Sequence, residues 1–276
     1  MKIQIFSDLH CDVAPTKPIV VGNDVEVVVV AGDIAEGARN SFVALRRIVP
    51  EAIPIVFVLG NHEFYRRFIG AELESAKALG PDYNVRVLEN DIAVIRGIGG
   101  AGAVRFAGAT TWTDYRLFGA ANTPAAMNAA RTGMNDHRLI GWKKEPWERF
   151  RPQEALMLHA ASRRFFAETL ASPFEGATVI LSHTAPHIRS VPERHRSDIL
   201  TAAFASDLSE LFGIDGAENG EAPAALQAPA DLVWVHGHVH ASSDYRIGAV
   251  RVLANPHGYG GENPAFDPML IVEVGA

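Results

Sequence analysis

The stretch VEVVVVAGD, residues 25–33, contains a dense run of valines. In an extended chain these valines make both faces apolar, which is typical of a strand buried inside a layered α/β domain. The run is far shorter than the roughly 20 residues that a membrane helix needs. It ends in Gly32 and Asp33, so a carboxylate follows the point at which the strand stops. The stretch therefore predicts a central strand with a polar group at its carboxyl end.

Other apolar runs on either side of this strand alternate with segments of helical spacing. Strands are predicted at residues 3–6, 25–30, 55–59, 177–183 and 231–238. Helices are predicted at residues 40–49 and 70–80, within 120–171, and at 200–212. Alternation of strand and helix over the first 90 residues or so predicts βαβ units, and with them an α/β fold. We expect a single domain over residues 1–276, with a helical cap-like insertion at about 113–171 and a mobile loop at about 213–230.

Composition limits the classes of protein to which the chain can belong. It has 276 residues, of which 48% are hydrophobic and 21% are charged, as in a soluble protein with a sizeable core. The formal net charge of -7 disfavours nucleic acid as a partner, because non-specific binding to phosphates relies on Lys and Arg. Cys11 is the only cysteine, and the N-terminus lacks the apolar core of a signal peptide. We expect a cytoplasmic protein with no membrane partner.

A glycine-rich segment at residues 97–102 fits the pattern G-x-G-x-x-G of dinucleotide-binding proteins. That pattern requires a following helix, whose N-terminus binds the pyrophosphate. Here the strand-like sequence AVRFAGATTW follows, at residues 103–112. The segment therefore predicts the turn of a β-hairpin, and a dinucleotide site is rejected.

Polar side chains follow five of the apolar runs at the point where each predicted strand ends. They are Asp8 and His10, then Asp33, then Asn61, His62 and Glu63, then His183, and finally His236, His238 and His240. Alone, such a residue is most often a turn or helix cap, or a hydrogen-bonded structural histidine. In open α/β sheets, however, ligands bind beyond the carboxyl ends of the strands. Five strand ends with Asp, Asn or His together indicate a metal centre.

The ordered set of motifs resembles that of the calcineurin-like metallophosphoesterases. The motifs are D-x-H at residues 8–10, G-D at 32–33, G-N-H-E at 60–63, a lone His183, and G-H-x-H at 237–240. The resemblance runs from residue 8 to residue 240. Looser likenesses to a bacterial branch of the superfamily occur in GATTWTDY, MNDHRLI and AAFASDL. The resemblance implies a sandwich of two mixed β-sheets flanked by helices, with a metal cleft at the C-terminal ends of the strands.

The resemblance also implies two metal ions that share a carboxylate. One ion would be bound by Asp8, His10, Asp33 and His240, and the other by Asp33, Asn61, His183 and His238. Sharing is chemically sensible, because one carboxylate can give an oxygen to each of two cations. Mixed His, Asp and Asn ligands suit Mn²⁺, Fe²⁺/Fe³⁺ or Zn²⁺.

The activity implied by the resemblance is hydrolysis of a phosphate ester by a metal-bridging hydroxide. His62, which is not a ligand in the family, would protonate the leaving oxygen or stabilise developing charge. A phosphodiesterase acting on a small or nucleotide-like substrate is our leading hypothesis, and a phosphomonoesterase using the same site is the alternative. A non-catalytic scaffold and a dinuclear amide or ester hydrolase are further alternatives.

Other residues near the motifs have two interpretations each. Glu63 could orient an imidazole or be a surface carboxylate. His236 and His257 are interpreted as structural histidines. Cys11 is expected to pack in the core, because strand alternation turns it away from its neighbour His10.

The substrate-binding residues are not identified by the sequence. The segment 131–164 is net basic, and it could form a cap that steers an anionic substrate or could be a set of solvated helix faces. Aromatic residues could stack on a nucleobase or pack in the core. These aromatic residues are Trp112, Tyr115, Trp142 and Trp147.

Overall fold

A computed structural model describes residues 1–98, 102–213 and 232–275. In these ranges the first of two large sheets contains five strands. They are β1 (Lys2–Phe6), β2 (Val27–Val30), β3 (Ile55–Phe57), β4 (Val85–Val87) and β13 (Ile271–Glu273). Their order is β13-β1-β2-β3-β4, with β13 antiparallel to β1 and the other pairs parallel. The VEVVVVAGD stretch therefore supplies the central strand of this sheet, as predicted.

The second sheet has six strands within the described ranges. They are β5 (Asp91–Arg96), β6 (Ala103–Ala109), β9 (Ala177–Ser182), β10 (Leu232–His236), β11 (Ser243–Ile247) and β12 (Val250–Ala254). Their order is β11-β12-β10-β9-β6-β5, parallel in the centre and antiparallel at both edges. The antiparallel pair β5–β6 confirms the predicted hairpin, whose turn at residues 99–101 lies outside the described residues. A small separate hairpin pairs β7 (Gly141–Lys143) with β8 (Glu148–Arg149).

The two large sheets pack face to face around a buried aliphatic core. Alternate residues of β1 and β2 point into it, and alternate residues of β6, β9 and β10 meet them from the other sheet. The core side chains include Ile3, Ile5, Val27, Val29, Phe106, Val179, Leu181 and Val235. This arrangement is the expected sandwich of two mixed sheets, and the packing makes the carboxyl ends of β1, β2, β3, β9 and β10 neighbours.

The helices cover the outer faces of the sandwich. They are α1 (Ala38–Arg46), α2 (Ile69–Leu79), α3 (Thr123–Gly133), α4 (Asp136–Leu139) and α5 (Pro152–Ala171). The predictions at 40–49, 70–80 and within 120–171 are confirmed with shifted ends. None of the helices in the described ranges is both long enough and apolar enough to cross a membrane.

The helix predicted at residues 200–212 is wrong. The segment forms two short 3₁₀ turns, Ile199–Ala203 and Ser209–Phe212. Before each turn an aspartate side chain accepts a backbone N–H bond, Asp198 from Leu200 at 2.9 Å and Asp207 from Ser209 at 3.0 Å. Such local bonds compete with a continuous helix, and the chain between the turns pairs with Ala185 instead.

Helix α5 belongs to the body of the sandwich, although it falls within the segment expected to form a cap. Its Phe166 and Leu170 pack on the outer face of the second sheet, where the Phe166 ring lies 5.2 Å from that of Trp234. The preceding part of the segment reaches the strand ends through Met134, between α3 and α4. The loop expected at 213–230 falls, apart from Gly213, outside the described residues.

Replacing Phe166 by Ala should lower the free energy of unfolding by about 3–5 kcal/mol, because it opens a cavity between α5 and the second sheet. The matched control is Met157→Ala on the exposed face of the same helix, with an expected change within about 0.5 kcal/mol. Urea denaturation followed by circular dichroism measures both values. Equal effects of the two substitutions would show that α5 does not pack on this sheet.

Candidate metal centre

The backbone turns sharply where several strands reach the cleft. Non-glycine residues there have positive φ: Asp8 54°, His10 45°, Asp33 58°, His238 67° and His240 52°. This left-handed conformation is uncommon for such residues and costs about 1–3 kcal/mol each. It stops each strand immediately before or at the polar residue. The sharp turns gather these side chains at the carboxyl ends of β1, β2 and β10.

Glycines let the strand-end loops approach one another closely. A Cβ at Gly237 would overlap the Asp8 carboxylate and the Ser7 hydroxyl, and a Cβ at Gly60 would overlap Oδ1 of Asp33. Any larger residue would push the loops apart or displace these carboxylates. The glycines of G-N-H-E and G-H-x-H are therefore part of the geometry of the site.

Four side chains form what we call the first ligand group: Asp8, His10, Asp33 and His240. One ligand atom from each lies within 4.8 Å of all the others. His240 Nε2 is 3.0 Å from His10 Nε2 and 3.3 Å from Asp8 Oδ1. His240 Nδ1 contacts the Glu262 carboxylate, which can only accept, so Nδ1 carries a proton and Nε2 is the nitrogen that faces the group.

The second ligand group consists of Asp33, Asn61, His183 and His238. His183 Nδ1 donates to the Ala31 carbonyl at 2.7 Å, so its Nε2 faces the group and presents a lone pair when the ring is neutral. That Nε2 lies 2.9 Å from Asn61 Oδ1 and 3.4 Å from Asp33 Oδ2. With a neutral His183, three acceptor atoms would face one another in a buried place. Such an arrangement is costly without a positive charge between them, so this donor set fits a metal cation.

Asp33 belongs to both groups through one oxygen. Its Oδ2 lies 3.4 Å from His183 Nε2 and 3.8 Å from His10 Nε2. Its Oδ1 accepts the backbone N–H of His62 at 2.8 Å. The expected sharing of one oxygen with each ion therefore differs from the observed geometry, in which Oδ2 faces both groups and Oδ1 is hydrogen-bonded.

Hydrogen bonds to Tyr65 and Asp136 fix the orientation of the Asn61 amide. Its Nδ2 donates to the Tyr65 hydroxyl at 3.0 Å and to Asp136 Oδ1 at 2.9 Å. The Tyr65 hydroxyl also donates to Asp136 Oδ1, at 2.9 Å. Because Nδ2 is held on that side, Oδ1 must face His183. Asp136, at the start of α4, thus positions an oxygen of the second ligand group.

The charges in the site depend on one another. Burial opposes ionisation of Asp33, but the neighbouring His183 outweighs it and holds the pKa of Asp33 well below its usual range. Burial likewise opposes the charged form of His183, yet Asp33 raises its pKa to about 10. At His240 burial is outweighed by its bond to Asp8, which raises the pKa to about 9. These two protons occupy positions that a cation would take, so metal binding releases them.

The other two histidines of the ligand groups are held neutral. Burial lowers the pKa of His10 to about 4 and that of His238 to about 3. A neutral imidazole is the form that binds metal. The ring of Phe204 stacks on that of His238 with centroids 4.8 Å apart, which restricts its rotation.

His62 lines the cleft and belongs to neither ligand group. Its Nε2 is 2.9 Å from the hydroxyl of Tyr259, and its ring packs on those of His10 and Tyr65 at 4.4 and 4.2 Å. The backbone N–H bond to Asp33 fixes the residue from below. The imidazole is thus held next to the metal centre by contacts on several sides.

Glu63 was expected either to orient an imidazole or to be a surface carboxylate, and the structure shows a different position. It is fully buried, and its carboxylate accepts the backbone N–H groups of Asp33 and Ile34 at 2.9 Å and of Gly60 at 2.7 Å. The Ser41 hydroxyl donates to it at 2.8 Å. Burial, and then Asp33, raise the pKa of Glu63. Glu63 therefore binds the loops after β2 and β3 together and orients no imidazole.

The remaining candidates lie outside the ligand groups. His236 is buried, donates from Nδ1 to Gly237 O at 3.0 Å and accepts the Ser190 hydroxyl at 2.7 Å. His257 accepts the backbone N–H of Lys17 at 3.1 Å. Cys11 packs beside the core. The contacts of all three residues are those of structural side chains.

The cleft has a volume of about 450 Å³. Its floor is formed by Asp33, Asn61, His238 and His240 of the ligand groups, and its walls by residues 133–135, residues within 191–204, Tyr259 and Glu262. Within the described part of the chain, no basic side chain of the segment 131–164 lines it, and neither do the four aromatic candidates. Trp112, Tyr115 and Trp142 pack in or against the core, and Trp147 is exposed.

Several residues that the sequence did not single out also touch the site. They include Tyr65, Asp136, Phe204, Tyr259 and Glu262. Asp136 stands in MNDHRLI, which drew attention only for its looser likeness to a bacterial branch of the superfamily.

Comparisons with known proteins agree with this geometry. The model of the calcineurin-like phosphoesterase family matches residues 1–242. An uncharacterized protein of Acanthamoeba polyphaga mimivirus is 22% identical over 263 residues, which cover 91% of this chain and 85% of that protein. The crystal structure of a phosphopantetheinyl hydrolase from Mycobacterium tuberculosis superposes with a TM-score of 0.62 and 18% identity, covering 94% of this chain and 90% of the other. The similarity to that structure is one of fold.

The metal-stripped protein should lose stability as the pH rises from about 7 to about 9.5. His183 and His240 have folded pKa values of about 10 and about 9, above their ordinary value of 6.5. Each stabilises the fold fully below its unfolded pKa, and that contribution disappears as the pH passes the folded pKa. Urea denaturation at constant ionic strength measures the loss, which Mn²⁺ should reduce because the cations replace the protons. A constant free energy of unfolding across this range would contradict the proposed charge coupling.

Asp136→Ala should weaken metal binding at the second ligand group by about 10- to 100-fold while leaving the first group occupied. The reason is that the Asn61 amide loses its main acceptor and can rotate. Titration calorimetry with Mn²⁺, together with elemental analysis, reports both sites. Asp114→Ala is the matched control, because it removes a carboxylate of the same insertion that accepts the backbone N–H of Arg116 at 3.0 Å and belongs to neither ligand group. Unchanged affinity at both sites in Asp136→Ala would rule out the positioning role.

Proposed function

This chain belongs to the calcineurin-like phosphoesterase family and is a metal-dependent phosphoester hydrolase, and we propose that it acts as a phosphodiesterase on small substrates. The observation that carries this proposal is the convergence of acceptor atoms on Asp33 Oδ2, which lies toward both ligand groups. A centre of two ions, Mn²⁺, Fe²⁺/Fe³⁺ or Zn²⁺, is the simplest occupant of such a donor set.

The residues proposed as metal ligands follow from the two groups. Asp8, His10, Asp33 and His240 would hold one ion, and Asp33, Asn61, His183 and His238 the other. Bound cations would supply the Lewis acidity that activates a water molecule and neutralises the phosphoryl oxygens. The two carboxylates, Asp8 and Asp33, balance only half the charge of two divalent ions. The floor of the cleft would then attract an anionic phosphate.

His62 is proposed to give a proton to the leaving oxygen of the substrate. It lines the cleft beside both groups without belonging to either. The Tyr259 hydroxyl, 2.9 Å from Nε2, and the packing of the ring on Tyr65 orient the imidazole, while the backbone N–H of His62 is fixed by Asp33. A proton donor held in one orientation next to the phosphorus is what departure of an alkoxide requires.

The size of the cleft is compatible with a diester. Its volume of about 450 Å³ lies within the range of small-molecule sites, roughly 300–1,000 Å³, and so has room for a phosphate with two ester groups. A phosphomonoesterase that uses the same residues is the alternative. A non-catalytic scaffold is disfavoured, because every ligand position holds a side chain able to bind metal.

His62→Ala should lower kcat by about 10²- to 10⁴-fold with unchanged metal content, because the proton donor is lost and the ligands are not. The assay compares bis(p-nitrophenyl) phosphate with p-nitrophenyl phosphate in metal-stripped protein to which Mn²⁺ is returned. The diester is expected to be turned over more efficiently.

Two variants serve as controls for that assay. Asp33→Asn should abolish metal-dependent turnover and so exclude a contaminant. His187→Ala removes a partly buried histidine that lies outside the cleft lining and should leave kcat within about twofold. If His62→Ala lost metal together with activity, His62 would be a ligand instead of a proton donor.

A further inference from the structure

The side walls of the cleft carry no cationic side chain among the described residues. Apart from histidines, the charged residues of its lining are Asp33, Asp198 and Glu262, all of them carboxylates. The remaining residues, 99–101, 214–231 and 276, contain neither Lys nor Arg in the sequence. No basic side chain from those residues can therefore add a positive charge to the cleft.

The wall that faces the ligand groups is mainly apolar. Met134 contributes from the insertion, and Val191, Leu200 and Phe204 contribute from residues 191–204. Uncharged polar groups are also present, in the side chains of Asn135 and Thr201. Such a surface suits hydrocarbon together with hydroxyl or amide groups.

We propose that this site selects phosphoesters whose groups beyond the reacting phosphate are uncharged and partly apolar, and that it discriminates against substrates with a second phosphate. The inference rests on the proposed function and narrows it. A phosphate placed against the apolar wall would lose its hydration without gaining a cationic partner, and Asp198 and Glu262 would repel it. Arg and Lys are the side chains that proteins most often use to bind phosphates. Nucleoside di- and triphosphates are thereby disfavoured.

Several guanidinium groups contact residues of the cleft lining. Arg194 is exposed, and its Nε donates to Nε2 of His195 at 3.0 Å. Arg138 is also exposed and donates to Oδ1 of Asn135 at 2.5 Å. Arg196 donates to the carbonyls of Val191 at 2.8 Å and Arg189 at 3.3 Å, so it is engaged with the backbone. Arg194 and Arg138 remain as groups whose part in anion binding must be tested directly.

The experiment compares two phosphonates by titration calorimetry with the Mn²⁺-loaded protein. Phenylphosphonate presents one anionic group and an apolar ring, and 1,4-benzenediphosphonate adds a second anionic group to the same ring. Phosphonates are not hydrolysed, so binding is measured independently of turnover. We expect phenylphosphonate to bind at least about tenfold more tightly. Equal or tighter binding of the diphosphonate would overturn the proposal.

Substitutions in the wall sharpen this test. Leu200→Lys should raise the affinity for the diphosphonate by about tenfold, because it supplies the absent cation, whereas the neutral variant Leu200→Gln should not. Arg194→Ala and Arg138→Ala should each leave both affinities within about twofold. A selective loss of diphosphonate binding in either variant would show that an arginine next to the cleft lining recognises a second anion, and it would contradict the proposal.

The outcomes separate this inference from the proposed function. Preference for the monophosphonate without hydrolysis of any ester would support the inference about ligand class and remove the proposed activity. Hydrolysis of diesters together with tighter binding of the diphosphonate would support the proposed activity and contradict the inference about ligand class. Absence of binding by either phosphonate, in protein shown to contain two Mn²⁺ ions, would contradict both.

Discussion

The site is built around one constraint: acceptor atoms that repel one another are buried around the carboxylate of Asp33. Asp33 Oδ2, His183 Nε2 and Asn61 Oδ1 face one another, and Asp8 and His10 lie beside them. Positive charge is what makes such a cluster stable in a buried crevice, whether as protons on histidine or as metal ions. The charge coupling and the proposed chemistry both follow from this requirement.

The fold brings these atoms together through strained backbone conformations at the strand ends. Left-handed residues such as Asp8, Asp33 and His238 occur where the chain must turn within a single residue, and Gly237 lets two loops approach. The rigid double sheet beneath them supplies the stability that offsets this strain, since its core is filled with tightly packed aliphatic side chains. Glu63, buried under the site, ties two of the loops by accepting their backbone N–H groups.

Much of this could be predicted from the sequence, because the ligands follow directly from strands whose apolar patterns are strong. Asp136 and Glu262 could not, since each reaches the site from a loop or short helix whose position depends on tertiary packing. The helix predicted at 200–212 failed for a local reason, as Asp198 and Asp207 cap separate turns. Sequence periodicity also did not reveal that α5 packs on the second sheet, because a helix over a cleft and a helix on a sheet have similar apolar stripes.

The most direct test of the central claim is anomalous diffraction from crystals of the Mn²⁺-loaded protein, recorded at the manganese edge. The account predicts two peaks about 3.5–4 Å apart, both in contact with Asp33, one beside His10 and His240 and the other beside Asn61 and His183. A single peak, or two peaks that do not share Asp33, would contradict it.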